Sequence, residues 1–264
     1  MGAPYTVEKQ ARSCGAIITG LDLAAGPVSD AVLAALHADL LEHLVICIRG
    51  QAAMTPEQQI AFAGRWGTIV PHPYVEPIEG YPEMIRIYDP NPLTETWHTD
   101  FSYDRTPPAL SFLLARVIPP YGGDTMFSSS YRVFEACSPA LQEMLRGLRA
   151  YHEGTPLARS KGLSAEDVQC VHPVVGRHPE TGRELINVNA CYVKHLDGWT
   201  AEESAPLLEQ LYALWERPEF TYRHHWQVGD LVVWDNRAVQ HRAVGDTDGQ
   251  ARDLHRVTVA VPAV

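Results

Sequence analysis

Short apolar runs separated by turn residues recur along the chain and predict a fold that is mainly β. Several runs are rich in β-branched and aromatic residues, which favour strands. Between most of them the sequence predicts no helix long enough for a parallel crossover, so an antiparallel β-sandwich or jelly roll is expected. The predicted strands are Ala16–Thr19, Leu44–Ile48, Met84–Tyr88, Leu110–Val117, Asp124–Phe127, Leu185–Val188, Phe220–Trp226, Asp230–Trp234 and Leu254–Val261.

Four helices are predicted, each beginning at a serine or threonine whose side chain can accept a hydrogen bond from the first turn. Two of these residues, Thr55 and Thr200, open capping boxes with Gln58 and Glu203. The predicted helices run from Ser29 to about His43, from Thr55 to about Trp66, from Ser138 to near Gly147 and from Thr200 to about Trp215.

The composition is that of a globular protein, since 45% of the 264 residues are hydrophobic and 20% are charged. No internal repeat, low-complexity segment or linker interrupts the chain, so residues 1–264 are expected to form one domain. The formal net charge is -11 and no basic cluster interrupts it, so nucleic acid is not expected as a partner. An acidic surface still permits an anionic ligand, provided that arginines are placed at its site.

The cysteines and the apolar segments predict a cytoplasmic location without membrane attachment. The five cysteines are scattered and include no CxxC pair, which favours a reducing compartment over a disulfide framework. The N-terminus lacks the basic-then-apolar pattern of a signal peptide. The longest apolar runs, such as Leu44–Ile48, have the length of strands and are too short to span a bilayer.

The first candidate for chemistry is the segment Trp97-His98-Thr99-Asp100. If the segment is extended, His98 and Asp100 point to the same side, because alternate side chains share a face of a strand. One imidazole and one carboxylate placed in this way can occupy two neighbouring positions of a metal, and a third ligand must come from elsewhere. Taken alone the motif is weak, because two hydrogen-bonding side chains at a strand edge would give the same pattern.

The C-terminal part supplies the residues that strengthen the metal hypothesis. A turn, a buried strand and a second turn lie between Gly229 and Asn236, and His241 follows closely. Arg252 and Arg256 come 11 and 15 residues after His241, and the last predicted strand would carry Arg256 inward. A histidine followed by two arginines suits a site that holds a metal and two anions, and Arg252 could bind a terminal carboxylate with two hydrogen bonds. The alternative is that both arginines lie on the surface, as most arginines do.

Together these segments resemble the taurine/2,4-D dioxygenase (TauD/TfdA) family of iron- and 2-oxoglutarate-dependent enzymes. The family motifs occur in the same order and spacing from about Gly15 to the C-terminus. The matching segments are Trp97-His98-Thr99-Asp100, Thr106-Pro107-Pro108, Gly122-Gly123-Asp124-Thr125, His172-Pro173-Val174-Val175, Val188-Asn189, Trp234-Asp235-Asn236-Arg237, Gln240-His241 and His255-Arg256. The resemblance implies a double-stranded β-helix (jelly-roll) core, a homo-oligomer (dimer or tetramer) and the use of iron(II), 2-oxoglutarate and O2.

Position in these motifs implies residue roles at the metal and at the co-substrate. His98, Asp100 and His241 take the places of the family's iron ligands. Arg252 takes the place of the arginine that pairs with the far carboxylate of 2-oxoglutarate. Thr125 takes the place of the hydroxyl that helps to hold the same carboxylate.

The resemblance also implies the kind of substrate. Arg256 matches the arginine that binds the substrate's anionic group, and His72 matches a histidine that assists it. These two residues imply a small sulfonate, carboxylate or sulfate. Hydroxylation next to a sulfonate would release sulfite and an aldehyde, and the alternative is an aryloxyalkanoate or another carboxylate. Two other classes stay open, namely a zinc hydrolase with the same three ligands and a non-catalytic jelly-roll binding protein.

The expected substrate pocket departs from that of the taurine enzymes. Thr94 stands where they have an asparagine, and Phe101 stands where they have a small valine. Their aromatic residue three positions after the substrate histidine is Val75 here, with Tyr74 shifted by one. With Tyr192 as a further aromatic wall, the pocket is expected to prefer a less polar substrate than taurine. The remaining histidines expected to be structural or at the surface are His37, His43, His178, His195, His224 and His225.

Overall fold

The computed structural model of the chain describes residues 4–88, 95–154, 162, 164 and 166–261. The helices of that part are α1 (Asp30–His43), α2 (Pro56–Gly64), α3 (Ser130–Glu135), α4 (Pro139–Arg146) and α5 (Ala201–Trp215). Its strands are β1 (Thr6–Lys9), β2 (Ala16–Thr19), β3 (Val45–Ile48), β4 (Thr68–Ile69), β5 (Pro77–Ile78), β6 (Tyr81–Tyr88), β7 (Leu110–Val117), β8 (Thr125–Ser129), β9 (Arg149–Glu153), β10 (Gln169–Pro173), β11 (Val175–Arg177), β12 (Glu184–Ile186), β13 (Val193–Leu196), β14 (Thr221–His224), β15 (Leu231–Asp235), β16 (Val239–Ala243) and β17 (Asp253–Ala260).

Two sheets form the framework of the site. The larger has nine strands in the order β1-β2-β3-β15-β7-β17-β6-β5, with β4 paired to β17. Its strands pair antiparallel apart from β2 and β3, which are parallel. The second sheet has the order β14-β8-β16 and is antiparallel. Two smaller sheets, β10-β9-β13 and β11-β12, complete the described strands.

The centre of the larger sheet is buried on both faces, and β15 shows how. Leu231 and Val233 pack in a cluster with residues of α1 and α2, whereas Val232 and Trp234 pack in a cluster with residues of β8, β14 and β16. Because side chains alternate along a strand, an apolar run without polar interruption is what a strand covered on both faces requires. The space between the two sheets is therefore lined by every second residue of the central strands.

The predicted fold class, mainly β with peripheral helices, is confirmed. Both predicted capping boxes are present, and α1, α4 and α5 begin where the sequence predicts. The helix α2 ends at Gly64, two residues before the predicted Trp66. Leu44 was predicted as strand but caps α1 in the left-handed conformation, with φ 64°. Whether residues 1–264 form one domain remains a prediction.

The strand β16, which carries His241, was not predicted from the sequence. Its residues Gln240, His241 and Arg242 are polar, so the segment lacks the apolar pattern of a strand, yet β16 pairs with β8 over five residues. Short α3 and the strands β1, β4, β5, β9, β10, β11 and β13 were missed as well. None of the described helices is both long and apolar enough to cross a membrane.

A buried network of charges fixes the end of β15. Asp235 is 1% exposed, and its Oδ2 lies 2.9 Å from His178 Nε2. Arg237 donates to Asp235 through Nε at 2.9 Å and also reaches Glu180 Oε1 at 2.7 Å. His37 of α1 lies 2.9 Å from the other oxygen of Glu180. The network thereby connects α1 and the turn after β11 to the end of β15, the strand before β16.

We expect Asp235→Asn to make folding stability less sensitive to acid. Burial alone would raise the pKa of Asp235, but hydrogen bonds from Arg237 and His178 outweigh it and lower the pKa to about 2. A depressed carboxyl pKa stabilises the fold above the unfolded value of 3.8 and loses that contribution as the pH falls towards the folded value. Wild type should lose roughly 1 kcal/mol from this group between about pH 5 and pH 3.

Urea unfolding of wild type and Asp235→Asn at the two pH values measures the difference. Asp197→Asn is the control, because the Asp197 side chain is 52% exposed. The stability of this variant should fall with pH as much as that of wild type. Equal loss of stability in wild type and Asp235→Asn would contradict the expectation.

Candidate metal centre and anion-binding site

Two histidines and one aspartate converge between the sheets. The ligand atoms of His98, Asp100 and His241 all lie within 4.8 Å of one another, and the three residues are buried. Asp100 Oδ1 is 3.8 Å from Nε2 of each histidine. Ligands about 2.1 Å from one ion stand roughly 3.0–3.4 Å apart, so small side-chain shifts would close this set around a divalent cation. All three ligands expected from the sequence are therefore brought together.

The segment that carries His98 and Asp100 is not extended, which is the condition under which alternation would place the two side chains on one face. His98 forms one isolated antiparallel bridge with His241, with backbone N to O distances of 3.1 and 2.9 Å. The chain then turns, and Phe101 adopts a left-handed conformation with φ 54°. The two side chains still converge, because the bridge holds His98 beside His241 and Asn236 holds the backbone of Asp100.

The protonation states suit metal binding. His98 Nδ1 lies 2.8 Å from the carbonyl oxygen of Thr96, which makes Nδ1–H the donor and leaves Nε2 with a free lone pair. Burial lowers the pKa of His98, and burial together with His98 lowers the pKa of His241 to about 3. Burial alone would raise the pKa of Asp100, but Arg256 and the histidines outweigh it and keep that pKa low. Near neutral pH the site holds two neutral imidazoles and one carboxylate.

The second oxygen of Asp100 and its backbone are held by residues whose roles the sequence analysis did not identify. Ser111 donates its hydroxyl to Asp100 Oδ2 at 3.2 Å. Asn236 accepts from the Asp100 backbone N–H at 2.9 Å and donates to the carbonyl oxygens of Asp100 and Pro108. Asn236 lies in a matched segment, but no local pattern marked Ser111. These contacts leave Oδ1 directed at the histidines.

A second polar site lies where the two sheets meet at Thr125. Arg252 Nη2 donates to Thr125 Oγ1 at 3.0 Å, and both residues are buried. The preceding turn has Gly122 and Gly123 at φ 72° and 69°, and a Cβ at Gly122 would lie 2.1 Å from the carbonyl oxygen of Asp246. Thr125 is two residues from Phe127, the β8 partner of His241, so it shares a face of the sheet with His241 and lies about 7 Å further along the strand.

Arg256 lies against Asp100, one of the potential metal ligands. Its Nη2 is 2.7 Å from Asp100 Oδ2, as an ion pair without the alignment of a hydrogen bond. Among the described residues, Nε and Nη2 have no hydrogen-bond acceptor, although both are buried. Buried donors of this kind are costly unless a ligand satisfies them. The guanidinium is therefore poised to take an anion.

His72 is a neutral hydrogen-bond donor in the same region. Its Nδ1 accepts from the backbone N–H of Tyr74 at 3.3 Å and of Val75 at 3.0 Å, which leaves Nε2 to carry the hydrogen. Burial and the charge of Arg256 lower the pKa of His72 to about 4. His72 thus adds a hydrogen bond without adding a second positive charge.

Aromatic rings form the walls next to His72 and His98. Phe101 and Tyr74 meet the His72 ring at centroid distances of 4.9 and 4.6 Å, and Tyr192 meets His98 at 6.3 Å. Tyr103, which the sequence analysis missed, contacts Tyr192 at 5.1 Å and shares a 3.0 Å hydrogen bond with Tyr74. Thr94, the remaining expected pocket residue, lies outside the described residues.

A second group of potential ligands lies away from this centre. Cys47, His224 and Asp230 are buried and place their ligand atoms within 4.8 Å of one another. Asp230 is already paired with Arg49 through two hydrogen bonds and accepts the Gln227 backbone N–H at 2.9 Å. A metal would have to displace the guanidinium, so this group is better understood as a structural network.

Comparison with known proteins gives one consistent result. The model of the family described as taurine catabolism dioxygenase TauD, TfdA family matches residues 6–258. An alkylsulfatase of Acinetobacter baylyi is 32% identical over 261 residues, covering 93% of this chain and 82% of that protein. An alpha-ketoglutarate-dependent sulfate ester dioxygenase of Pseudomonas putida is 31% identical, covering 98% and 91%.

A solved structure agrees with these relatives. The crystal structure of a taurine dioxygenase from Burkholderia xenovorans superposes with a TM-score of 0.88 at 33% identity. The superposition covers 98% of this chain and 90% of that one. The similarity thus extends over both sheets and the site between them.

We expect His241→Ala to abolish tight binding of one divalent cation, because it removes one of three ligands. Ser111→Ala should weaken binding by roughly tenfold, since residues that orient a ligand typically contribute 10–100-fold. Titration with Mn(II) followed by electron paramagnetic resonance measures both. His195→Ala is the control, because that ring stacks on Tyr151 away from the centre. Wild-type affinity in His241→Ala would exclude this site.

Proposed function

The chain belongs to the taurine catabolism dioxygenase (TauD, TfdA) family, and from this premise we propose that it uses iron(II), 2-oxoglutarate and O2 to hydroxylate a small organic anion. The observation that carries the proposal is the buried set of His98, Asp100 and His241, together with the buried guanidinium groups of Arg256 and Arg252. Cofactor use of this kind is that of the family, whereas the residue assignments and the substrate are our proposal.

In this proposal His98, Asp100 and His241 hold iron(II), which supplies the centre where the reaction of O2 couples decarboxylation of 2-oxoglutarate to substrate hydroxylation. Arg252 and Thr125 bind the far carboxylate of 2-oxoglutarate. Their distance of about 7 Å along the sheet from His241 is comparable with the span of a five-carbon dicarboxylate. The protein's contribution is placement, because each reactant is held at a fixed end of one buried space.

Arg256 and His72 bind the anionic head of the substrate. The free donors of Arg256 and the Nε2–H of His72 offer only hydrogen bonds to an acceptor, so they select an anion over a neutral group. The head is fixed beside Asp100, which brings the neighbouring carbon nearest to the metal ligands. The position of this guanidinium therefore decides which carbon is oxidised.

The substrate class we favour is a sulfonate or a sulfate ester with a hydrophobic body. A hydroxyl placed on the carbon next to the sulfur group is unstable, and the product breaks down to an aldehyde with release of sulfite or sulfate. The names of the alkylsulfatase and the sulfate ester dioxygenase among the relatives support this class. The rings of Tyr74, Phe101 and Tyr192 support an apolar body.

An aryloxyalkanoate carboxylate is the second candidate. The Arg256 guanidinium, whose Nε and Nη2 have no hydrogen-bond acceptor among the described residues, fits a planar carboxylate as well as a sulfo group. The aromatic walls would also accept a phenyl ring. The homo-oligomer and the cytoplasmic location expected from the sequence remain predictions.

We expect Arg252→Ala to raise the dissociation constant of 2-oxoglutarate by at least tenfold. Removing one partner of a buried charge pair typically costs roughly 2–5 kcal/mol. Calorimetric titration of 2-oxoglutarate into protein loaded with Mn(II) measures this without turnover. Arg177→Ala is the control, since that side chain is 67% exposed. Unchanged affinity in Arg252→Ala would remove Arg252 from the co-substrate site.

We expect Arg256→Ala to raise the KM of the organic anion by at least tenfold while 2-oxoglutarate affinity stays within about twofold, because in this proposal Arg256 pairs with the substrate and Arg252 with 2-oxoglutarate. Metal affinity is measured in the same variant, since Arg256 also contacts Asp100. Loss of 2-oxoglutarate affinity instead would mean that the two arginines have exchanged roles.

A substrate panel tests the proposed class directly. Alkyl sulfates, alkylsulfonates, aryloxyacetates and taurine are compared by succinate formation, with sulfite, sulfate and aldehyde as second products. We expect an alkyl sulfate or alkylsulfonate of intermediate length to be turned over best, because the aromatic walls stabilise an apolar body. Faster turnover of taurine than of every larger anion would contradict the proposal, and faster turnover of aryloxyacetates would favour the second candidate.

A further inference from the structure

Trp226 makes a polar contact that neither the sequence motifs nor the proposed reaction explains. The side chain is 6% exposed and follows β14. Its indole Nε1–H donates to Thr125 Oγ1 at 3.0 Å. Arg252 Nη2 donates to the same oxygen, also at 3.0 Å. Thr125 therefore receives two hydrogen bonds from two different side chains.

The two donors determine the direction in which the hydroxyl hydrogen of Thr125 points. An indole N–H and a guanidinium can only donate, and a hydroxyl has two acceptor lone pairs and one hydrogen. With both lone pairs of Thr125 occupied, its hydrogen must point in the one remaining direction. A hydroxyl that accepts from both neighbours can serve a ligand only as a donor.

We propose that Trp226 is a positioning residue that commits the Thr125 hydroxyl to donate to the far carboxylate of 2-oxoglutarate. The inference rests on the proposed function, which assigns that carboxylate to Thr125 and Arg252. Without the indole N–H, the hydroxyl could rotate towards other acceptors, and part of its interaction with the carboxylate would be lost. Trp226 acts through Thr125 and does not itself touch the co-substrate.

The surroundings of Trp226 hold the indole in place for this task. His224 meets the ring edge to face, with centroids 4.6 Å apart at 89°. His224 is itself fixed by the Tyr222 hydroxyl at 2.8 Å and by Asp230 at 3.2 Å, and Arg49 pairs with Asp230. The structural network of Cys47, His224 and Asp230 thus also supports the co-substrate site, because His224 packs against the indole ring that orients Thr125.

Arg252 also lies over the Trp226 ring, with Cζ 5.7 Å from its centroid. This cation–π contact would persist in part in a phenylalanine variant, whereas the N–H would be lost. Trp226→Phe therefore separates the hydrogen bond from the packing. Trp226→His, which keeps a ring N–H, should recover part of any loss.

The test measures 2-oxoglutarate dissociation constants by calorimetry on Mn(II)-loaded protein for Trp226→Phe, Thr125→Val and the double variant. Trp226→Phe should weaken binding by about three- to tenfold, the range of a single neutral hydrogen bond. The double variant should bind no more weakly than Thr125→Val, because the indole N–H has no further role once the hydroxyl is gone. Additive losses, or wild-type affinity in Trp226→Phe, would overturn the inference.

A second ligand shows whether the effect concerns the far carboxylate. 2-Oxobutyrate has the same 2-oxo acid group but lacks that carboxylate, so its affinity should be equal in wild type and Trp226→Phe. Trp66→Phe is the matched control, since it also deletes a buried indole N–H but one without a hydrogen-bond partner among the described residues. Its affinity for 2-oxoglutarate should equal that of wild type. An equal loss for both 2-oxo acids would indicate a merely structural role and overturn the inference.

Arg252→Ala distinguishes failure of this inference from failure of the proposed function. If Arg252→Ala weakens 2-oxoglutarate binding and Trp226→Phe does not, the positioning role alone is wrong. If neither variant changes affinity, the co-substrate site itself is assigned wrongly, and the inference falls with it. Should Trp226→Phe fail to fold, the comparison of Trp226→His with wild type, each with and without Thr125→Val, applies the same criterion of non-additivity.

Discussion

The carboxylate of Asp100 is the feature on which the site depends. Burying a charge is costly unless it is paired and hydrogen-bonded, and Asp100 is only 5% exposed. One of its oxygens is held by Ser111 and lies against Arg256, so the other is left facing the two histidines. Asp100 Oδ1 and the two neutral imidazoles thus form a buried set of three potential ligands for a divalent cation.

Asp100 also joins elements that are far apart in the chain. Ser111 comes from β7, Arg256 from β17 and His241 from β16, while Asn236 fixes the Asp100 backbone from the turn after β15. Long-range contacts of this kind leave no local signal. That is why the sequence identified the ligand pair but not the residues that orient it.

Strands were predicted from the apolar pattern that burial imposes on their side chains, so strands without that pattern were missed. Strands such as β15, buried on both faces and apolar up to the terminal Asp235, were predicted, whereas β16 carries polar side chains into the interior and was missed. Alternation along β17 correctly predicted that Arg256 faces the interior, since Leu254 packs between the sheets and Val257 on the other side. The same rule does not apply at His98, where its condition of an extended segment is not met, because a single bridge is followed by a left-handed turn.

The charges of the site argue for the kind of anion it accepts. Burial keeps His72, His98 and His241 neutral near pH 7, so the fixed charges are two arginines and one carboxylate, which sum to +1. With iron(II) the sum is +3, and 2-oxoglutarate reduces it to +1. A monoanionic substrate completes neutrality, which a buried site of low dielectric favours strongly. Taurine is a zwitterion without net charge, so it lacks the single negative charge that completes this sum, and the described side chains that pack on His72 include the rings of Tyr74 and Phe101. The charge balance and the aromatic side chains thus both support the proposed substrate, a monoanion with an apolar body.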